Sequence, residues 1–374
     1  MVTTPKPTAL AAAVAAALGT VMVAPASALT VTTSPSTFNI SGSVIDGEAA
    51  GSTSTTVIGS TTVGEFDSAL GVLTDATINV TSTRTQTVTV TAAASGSSTT
   101  QFTASGSGSS TATKISAAGV SGTFTDISSA TATCKAQDKK GCSASTITGP
   151  VATGGTFTVG SLDSYVGTGN ETISFTATVA ATQGTGTFTG AETTTTGLKW
   201  ATGTGGGVSA TYEYLLHAAP SFDSGSPLLT LNLDFGTLYL GEDAAQKTFS
   251  IFNPAGERVG LDLDSLTPDG DTSAFTTNLG LFSALAAGDS QSFWFDLVTS
   301  TLGDFSASYS LSFSDADVGA ASSRFAFTGY VINLTGRVIE RPGGGPAPVP
   351  APGLIGLLGG GLLALGLARR KRNG

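Results

Sequence analysis

The stretch TINVTSTRTQTVTVT, residues 77–91, decides the fold class of this chain. Thr occupies every odd position from 81 to 91, and β-branched apolar residues occupy four of the even positions: Ile78, Val80, Val88 and Val90. A period of two with β-branched residues is typical of a strand that buries one face. The same alternation recurs at Ile173, Phe175, Ala177 and Val179. Gly- and Ser-rich segments such as 95–98 and 105–110 are predicted to be turns, so we expect an all-β chain of sandwich domains.

The composition excludes several classes of function. Charged residues make up 11% of the 374, against roughly 25% in ordinary globular chains. The net charge is −10, so the chain lacks the basic surface that nucleic acid requires, and we expect no nucleic-acid partner. There is one histidine, His217, and there are two cysteines, which excludes most metalloenzymes and most His-based catalysts.

The N-terminal residues have the layout of a secretory signal peptide, predicted here as residues 1–28. Lys6 precedes an Ala-rich apolar run over 9–23, and the small residues Ala26 and Ala28 form an A-x-A cleavage site before Leu29. The apolar run is short for a membrane-spanning helix. We therefore expect export and cleavage by signal peptidase; the alternative is a buried Ala-rich helix.

The C-terminal residues predict a short membrane anchor. A Pro- and Gly-rich linker covers 341–353, the wholly apolar segment 354–368 follows, and the tail 369–374 carries four basic residues: Arg369, Arg370, Lys371 and Arg372. An apolar helix of this length reaches about 22 Å, which is short of the usual ~30 Å, although flanking arginines can snorkel. The positive-inside rule places the basic tail in the cytoplasm and the rest of the chain across the inner membrane. Without Lys6 and these four residues, 11 basic residues face 26 acidic ones, a net charge near −15.

The order of these C-terminal features resembles the PEP-CTERM protein-sorting signal. The sorting motif is VPAPG: Val349, Pro350, Ala351, Pro352 and Gly353. It departs from the family's usual motif at Ala351, where Glu is usual. The resemblance implies a Gram-negative host and an exosortase-type enzyme that cuts near the motif, with the protein passing through the inner membrane and ending at the cell surface or outside the cell. The alternative is an ordinary C-terminal anchor that is never processed.

The body of the chain resembles two families of β domain. Residues 37–218 are similar to choice-of-anchor domains of the E type, through EFDSALGVL at 65–73 and SYVGTGN at 164–170. After a linker over 220–227, residues 228–338 resemble the Ig-like repeats of the abnormal-spindle and choice-of-anchor D type. The matching motifs are LDFGT at 233–237, FSIFN at 249–253, LAAGDS at 285–290, GDF at 303–305 and FAFTG at 325–329. These resemblances imply two β-sandwiches, the second Ig-like, and no known catalysis.

Cys134 and Cys142 enclose a charged segment, and a disulfide that pins a hairpin loop is the expectation in an exported protein. Zinc is the alternative, but it needs four ligands and only His217 remains as a nitrogen donor. Calcium could bind the acidic turn pairs at 269–271 and 315–317, although solvated turn carboxylates are the simpler interpretation. We expect no cofactor.

Catalysis finds little support in the sequence. There is no G-x-S-x-G motif, and His217, the only possible base for a serine hydrolase, is expected to be a solvated surface residue. Glycoside hydrolysis would use two of the 26 acidic residues, but aromatic platforms for sugar rings are few, with Trp200 and Trp294 the only tryptophans. We expect that the protein is not an enzyme.

The expected function is that of an exported structural protein of the cell surface or extracellular matrix. The alternative is an adhesin or polysaccharide-binding module. The Thr row at 81–91 could contact a polysaccharide, but a binding plane needs several matched strands. A groove with exposed Tyr165, Trp200 or Tyr212 would favour the alternative, whereas a featureless Thr/Ser surface would favour the structural role.

Overall fold

The computed structural model describes residues 28–47, 51–93, 102–124, 129–136, 140–184, 191–204, 206–244 and 246–342. These segments are mostly β-strand, with four short 3-10 turns: Ser68–Leu70, Leu162–Tyr165, Thr272–Ala274 and Ala321–Ser323. The strands form two β-sandwiches in succession along the chain, which confirms the predicted all-β fold. Residues 1–27 and 343–374 lie outside the described residues.

The first domain contains eleven of the described strands. They are β1 (Leu29–Thr32), β2 (Asn39–Asp46), β3 (Ser52–Gly64), β4 (Val72–Ala92), β5 (Phe102–Ala117), β6 (Val120–Thr123), β7 (Ala130–Ala136), β8 (Cys142–Thr158), β9 (Asn170–Gln183), β10 (Glu192–Ala201) and β11 (Gly207–Leu215). One sheet has the order β1-β11-β4-β10-β2, with β8 also paired to β4. The facing sheet has the order β3-β9-β5-β6, with β7 also paired to β5. Because β1 pairs with β11, this domain begins before residue 37, the start expected from the sequence.

Strand β4 is the longest described element, and it confirms the alternation of buried and outward-facing residues that the sequence predicts. Its even-numbered side chains from Ala76 to Ala92 are buried between the sheets, and its Thr residues face outward. One edge of β4 pairs with β11 and then β10, and its other edge pairs with β8. The strand thus holds the larger sheet of the first domain together.

One expectation about turns is wrong. Segment 105–110 was predicted to be a turn because of its Ser and Gly content, but it lies within β5. Gly106 and Gly108 face the other sheet, where an added Cβ would come within 2.0 Å of Thr194 Oγ1 and 2.1 Å of Thr196 Oγ1, respectively. The sheets approach so closely here that only glycine fits, so small residues mark a tight contact and not a chain reversal.

Aromatic side chains fill the middle of the first domain. The fully buried Trp200 ring meets three phenylalanine rings edge-on, with centroids 5.5 Å from Phe38, 5.3 Å from Phe124 and 5.1 Å from Phe175. Its indole Nε1 donates a hydrogen bond to Ser82 Oγ at 3.0 Å, so the polar atom is satisfied in the core. This cluster joins the two sheets.

The second domain contains the remaining eight described strands. They are β12 (Thr230–Tyr239), β13 (Lys247–Phe252), β14 (Leu261–Gly270), β15 (Phe275–Thr277), β16 (Phe282–Leu285), β17 (Ser290–Leu297), β18 (Gly303–Asp315) and β19 (Ala326–Ile339). One sheet has the order β12-β19-β18-β14-β16 and the other β13-β17-β15. Only β12 and β19 pair in parallel among the described strands. Phe249, Phe293 and Phe295 pack between the sheets.

Candidate functional site

A pair of titratable residues in direct contact lies at the junction of the two domains, around His217. Its side chain is only 13% exposed, so the expectation of a solvated histidine is wrong. The Nδ1 atom lies 2.7 Å from Asp315 Oδ2, and Nε2 lies 2.7 Å from the carbonyl oxygen of Ser68. The ring also stacks on Phe325 at 4.0 Å. His217 therefore connects a turn of the first domain to the end of β18 in the second.

The hydrogen bonds at this junction fix the protonation of the imidazole. The Ser68 carbonyl can only accept, so Nε2 carries a proton. Asp315 is fully buried and already accepts from the backbone N–H groups of Ala218 (2.7 Å) and Phe325 (2.8 Å), so Nδ1 donates to it as well. Burial lowers the pKa of His217, but the hydrogen bonds to Asp315 and Ser68 and the Asp315 charge outweigh burial and raise that pKa above its usual value. With both nitrogens engaged, this imidazole has no free lone pair to act as a general base.

Further hydrogen bonds hold the two domains together. Ser323 Oγ accepts from the N–H of Leu73 at 3.0 Å, and the N–H of Ala320 donates to the Leu73 carbonyl at 2.8 Å. Asp163 accepts from the N–H and the hydroxyl of Ser322, which lowers the pKa of its carboxyl. The junction is thus a continuous set of contacts between the 3-10 turns of both domains. These partners could not be predicted from the sequence, because they lie far apart in the chain and no local pattern marks them.

The cavity beside the linker 220–227 offers no reactive pair. It encloses about 480 Å³ and is lined largely by the linker itself, with Pro254, Phe327 and Tyr330. The two charged residues on its wall are already engaged. Asp223 accepts from the N–H of Gly225 at 3.0 Å, and Arg258 Nη1 donates to the His217 carbonyl at 2.8 Å.

The outer face of the larger sheet of the first domain carries a regular array of hydroxyl groups. We call it the hydroxyl face, and it consists of Ser41, Ser43, Thr85, Thr87, Thr89, Thr91, Ser143, Ser145, Thr193 and Thr195. The register aligns hydroxyl side chains in two rows of three across β10, β4 and β8, so that Thr89 faces Thr195 on one side and Ser145 on the other. Thr89 Oγ1 lies 2.8 Å from Ser145 Oγ. On β2, Ser43 faces Gly197 and Ser41 faces the exposed Lys199. The Thr row of the sequence is therefore one line in a face whose hydroxyl groups match on three strands.

The aromatic residues that would favour a sugar-binding groove are not on the surface. Tyr165, Trp200 and Tyr212 are all fully buried. Burial raises the pKa of Tyr165 to about 12. The Tyr212 hydroxyl donates to the Gly64 carbonyl at 2.7 Å, inside the sandwich. None of these three residues can therefore provide an aromatic platform on the surface.

The other predicted site residues fall in three groups. Cys134 and Cys142 are joined by a disulfide, with their Cα atoms 5.9 Å apart. The acidic turn pairs have partners within the protein: Asp271 accepts from the N–H of Ser306 at 3.1 Å, and Asp317 pairs with Arg324 at 3.6 Å. Asp315 was expected to be solvated, but it is buried.

The third group comprises the residues of the predicted processing signals. Ala26, the VPAPG motif at 349–353 and the basic residues 369–372 lie outside the described residues, and Ala28 is the first residue inside them. Among the described residues, no helix is long and apolar enough to span a membrane. The same residues contain no group of three or more His, Cys, Asp or Glu side chains placed to hold a metal ion.

Comparison with known proteins gives partial likenesses only. No protein-family model matches the chain. No curated protein matches it. Among solved structures, PapD-like domain 7 of human CEP192 is 17% identical over 30% of this chain and 83% of that chain, with a TM-score of 0.23. The VesB protease of Vibrio cholerae is 14% identical over 35% of this chain and 37% of its own, with a TM-score of 0.21. The Pseudomonas aeruginosa CupB2 chaperone is 11% identical over 29% of this chain and 53% of its own, with a TM-score of 0.20. Likenesses at this level carry no information about function.

Proposed function

We propose that this protein is an exported structural component of the cell surface or extracellular matrix of a Gram-negative bacterium, sorted by a PEP-CTERM-type signal. The observation that carries the proposal is the order of features at 349–372: the VPAPG motif, an apolar segment and a basic cluster. Signal peptidase and an exosortase-type enzyme are the processing partners, and the inner membrane is a transient location. The A-x-A site at Ala26 and Ala28 supports export.

The surface of the folded body supports a structural role. Thr and Ser dominate the hydroxyl face, which also bears the exposed Lys199 and Ile45, and the candidate sugar-stacking residues Tyr165, Trp200 and Tyr212 are buried. His217, the only histidine in the sequence, is held by two hydrogen bonds and is unsuited to proton transfer. A surface rich in hydroxyl groups offers many weak hydrogen bonds, as expected of a protein that packs among polymers.

Location in the host, with paired proline variants, tests the sorting step. The motif variant changes Pro350→Ala and Pro352→Ala, and the matched control changes Pro346→Ala and Pro348→Ala in the preceding linker. We expect the wild type and the control outside the inner membrane and the motif variant retained in it. Release of all three proteins to the same extent would refute recognition of the motif.

A polysaccharide-binding adhesin is the second candidate. The matched hydroxyl rows on β10, β4 and β8 favour it, because they provide the plane that a single Thr row lacks. The buried Tyr165, Trp200 and Tyr212 count against it. Saturable binding of the purified protein to polysaccharide from the host, abolished by Lys substitutions on this face, would favour the adhesin over the structural role.

A further inference from the structure

We propose that the first domain binds a calcium ion between its two sheets, at the end furthest from the second domain. We call this the distal end; its inward-facing side chains include Asp46 on β2, Glu192 and Thr194 on β10, and Gln183 on β9. This site is independent of the proposed function. It is also separate from the acidic pairs at 269–271 and 315–317.

Two carboxylates are buried next to each other at the distal end. Asp46 is 3% exposed and Glu192 is 2% exposed. Asp46 is the register partner of Thr194, and Glu192 lies two residues before Thr194 on the same face of β10. Diagonal neighbours of this kind on adjacent strands have Cβ atoms within about 7–8 Å. The two carboxylates can therefore reach one ion.

The facing sheet adds a third group. Gln183 is 9% exposed and ends the buried stripe of β9. Its N–H donates to Asp46 Oδ2 at 2.8 Å, and its Nε2 donates to the Glu192 carbonyl oxygen at 3.4 Å. Gln183 thus contacts both acidic residues, Asp46 through its backbone and Glu192 through its side-chain amide.

Three buried oxygens at this place have no hydrogen-bond partner. They are Glu192 Oε1, Gln183 Oε1 and Thr194 Oγ1. An unpaired buried oxygen costs about 1–3 kcal/mol. Because a backbone carbonyl already occupies the amide nitrogen of Gln183, its Oε1 cannot be satisfied by turning the amide over.

Within the described residues, no positive side chain forms an ion pair with Asp46 or Glu192. In the sequence, the segments 47–51, 93–101 and 184–191, which follow or precede these strands, contain no Lys, Arg or His. Lys135 and Lys140 belong to the neighbouring disulfide hairpin and are exposed. Buried carboxylates without a counter-charge are costly, and a bound cation removes that cost.

The donor set selects calcium among the common cations. Two carboxylates, an amide oxygen and a hydroxyl are hard oxygen ligands, and no nitrogen or sulfur ligand is present in this set. Calcium accepts six to eight oxygens in flexible geometry, so bidentate carboxylates and water can complete the shell. Magnesium demands near-octahedral geometry and retains its water, which suits a site between two sheets less well.

Calcium titration of the full chain tests the proposal. After treatment with chelator, we expect one calcium per chain by calorimetry and a higher Tm in calcium than in EGTA. Glu192→Gln and Asp46→Asn keep the shape of each side chain, and each should weaken calcium binding by at least about tenfold. Asp269→Asn, on the second domain, is the matched control and should bind as the wild type does.

Two outcomes of these measurements would overturn the proposal. Equal Tm values in calcium and EGTA, with no heat of binding, would overturn the proposal. Calcium binding that survives both Glu192→Gln and Asp46→Asn would also overturn it, because the ion would then occupy another place. Thr194→Val provides a further variant if a carboxylate variant fails to fold, and it should weaken calcium binding less than Glu192→Gln.

Discussion

The middle of the first domain is packed with aromatic side chains, whereas its distal end is packed with Ala, Gly, Thr and Val. Trp200 and three phenylalanines fill the middle. At the distal end, the apolar cluster consists of Val88, Val90, Ala92, Ala104, Ala130, Ala132 and Cys134. The same strands run through both regions, so the alternation of inward and outward residues is shared. The inward residues differ in size between the two regions, and their size determines the separation of the two sheets.

The difference affects what stabilises each region. Large side chains bury much apolar area, which contributes about 25 cal/mol per Å². The small side chains of the distal end bury less area, and several polar groups lie among them: Asp46, Gln86, Gln183, Glu192, Thr194 and Thr196. The Cys134–Cys142 disulfide lies beside this region and adds a covalent link. The distal end therefore depends on close fit and on the disulfide more than on hydrophobic area, and several of its buried side-chain oxygens lack a hydrogen-bond partner.

The largest effect is expected from Trp200→Ala, which removes the centre of the aromatic cluster. Truncating a fully buried tryptophan should cost about 3–5 kcal/mol in the free energy of unfolding. Denaturant unfolding measures the loss. Trp294→Ala, at a partly exposed position on β17, is the control and should cost clearly less. Equal losses would mean that the aromatic cluster is not the main source of stability.

Gly108→Val should break the close fit of the distal end. The new Cβ would lie 2.1 Å from Thr196 Oγ1, and overpacking of this kind costs about 1–3 kcal/mol. Adding Thr196→Ala should recover part of the loss, because Val88 Cγ2 would still lie 2.8 Å from the new Cβ. Gly197→Val is the matched control on the outer face, where an added Cβ meets only the Thr87 carbonyl oxygen at 4.0 Å. If Gly108→Val is as stable as the control, the sheets are not as close as described.

The junction of the domains should make stability depend on pH. The pKa of His217 is raised in the folded protein, so the pair with Asp315 contributes fully below the unfolded value of about 6.5. That contribution is lost as pH rises through the folded pKa. Since the sequence has no other histidine, unfolding free energies of wild type and His217→Gln measured across this pH range isolate the effect. The wild type should lose stability with rising pH relative to the variant; parallel curves would contradict the assignment.

The smallest effect on stability is expected on the hydroxyl face. Thr89→Lys and Thr195→Lys change neighbouring, half-buried positions whose side chains face outward, and each should alter the free energy of unfolding by no more than about 0.5 kcal/mol. Their effect should appear instead in the share of exported protein that stays with extracellular polysaccharide, which we expect to fall. An unchanged share would mean that this face makes no contact there.

The sequence was sufficient for the parts of the fold that depend on local periodicity. Residues 77–91 predicted the strand that became the centre of the larger sheet, with Val88 and Val90 inside and Thr89 outside. The same reasoning failed at 105–110, because a local pattern cannot show that the facing strand carries Thr194 and Thr196. Composition alone cannot tell a tight sheet contact from a turn.

The junction could not be predicted for a related reason. His217 and Asp315 are 98 positions apart, and His217 and Ser68 are 149 apart, so no spacing rule connects them. Asp315 belongs to an acidic pair whose sequence predicts an exposed turn. It is nevertheless fully buried, and its carboxylate accepts hydrogen bonds from two backbone N–H groups and from the imidazole of His217. The predicted processing signals are different, since they are defined by contiguous residues and by order along the chain.

Intact mass of the protein recovered from outside its own host tests the central proposal most directly. We expect a mass that lacks residues 1–28 and also lacks the apolar segment and basic tail beyond the VPAPG motif. A mass that lacks only the signal peptide and retains 354–374 would contradict C-terminal processing. In that case the protein would be an anchored surface module and not a sorted and released one.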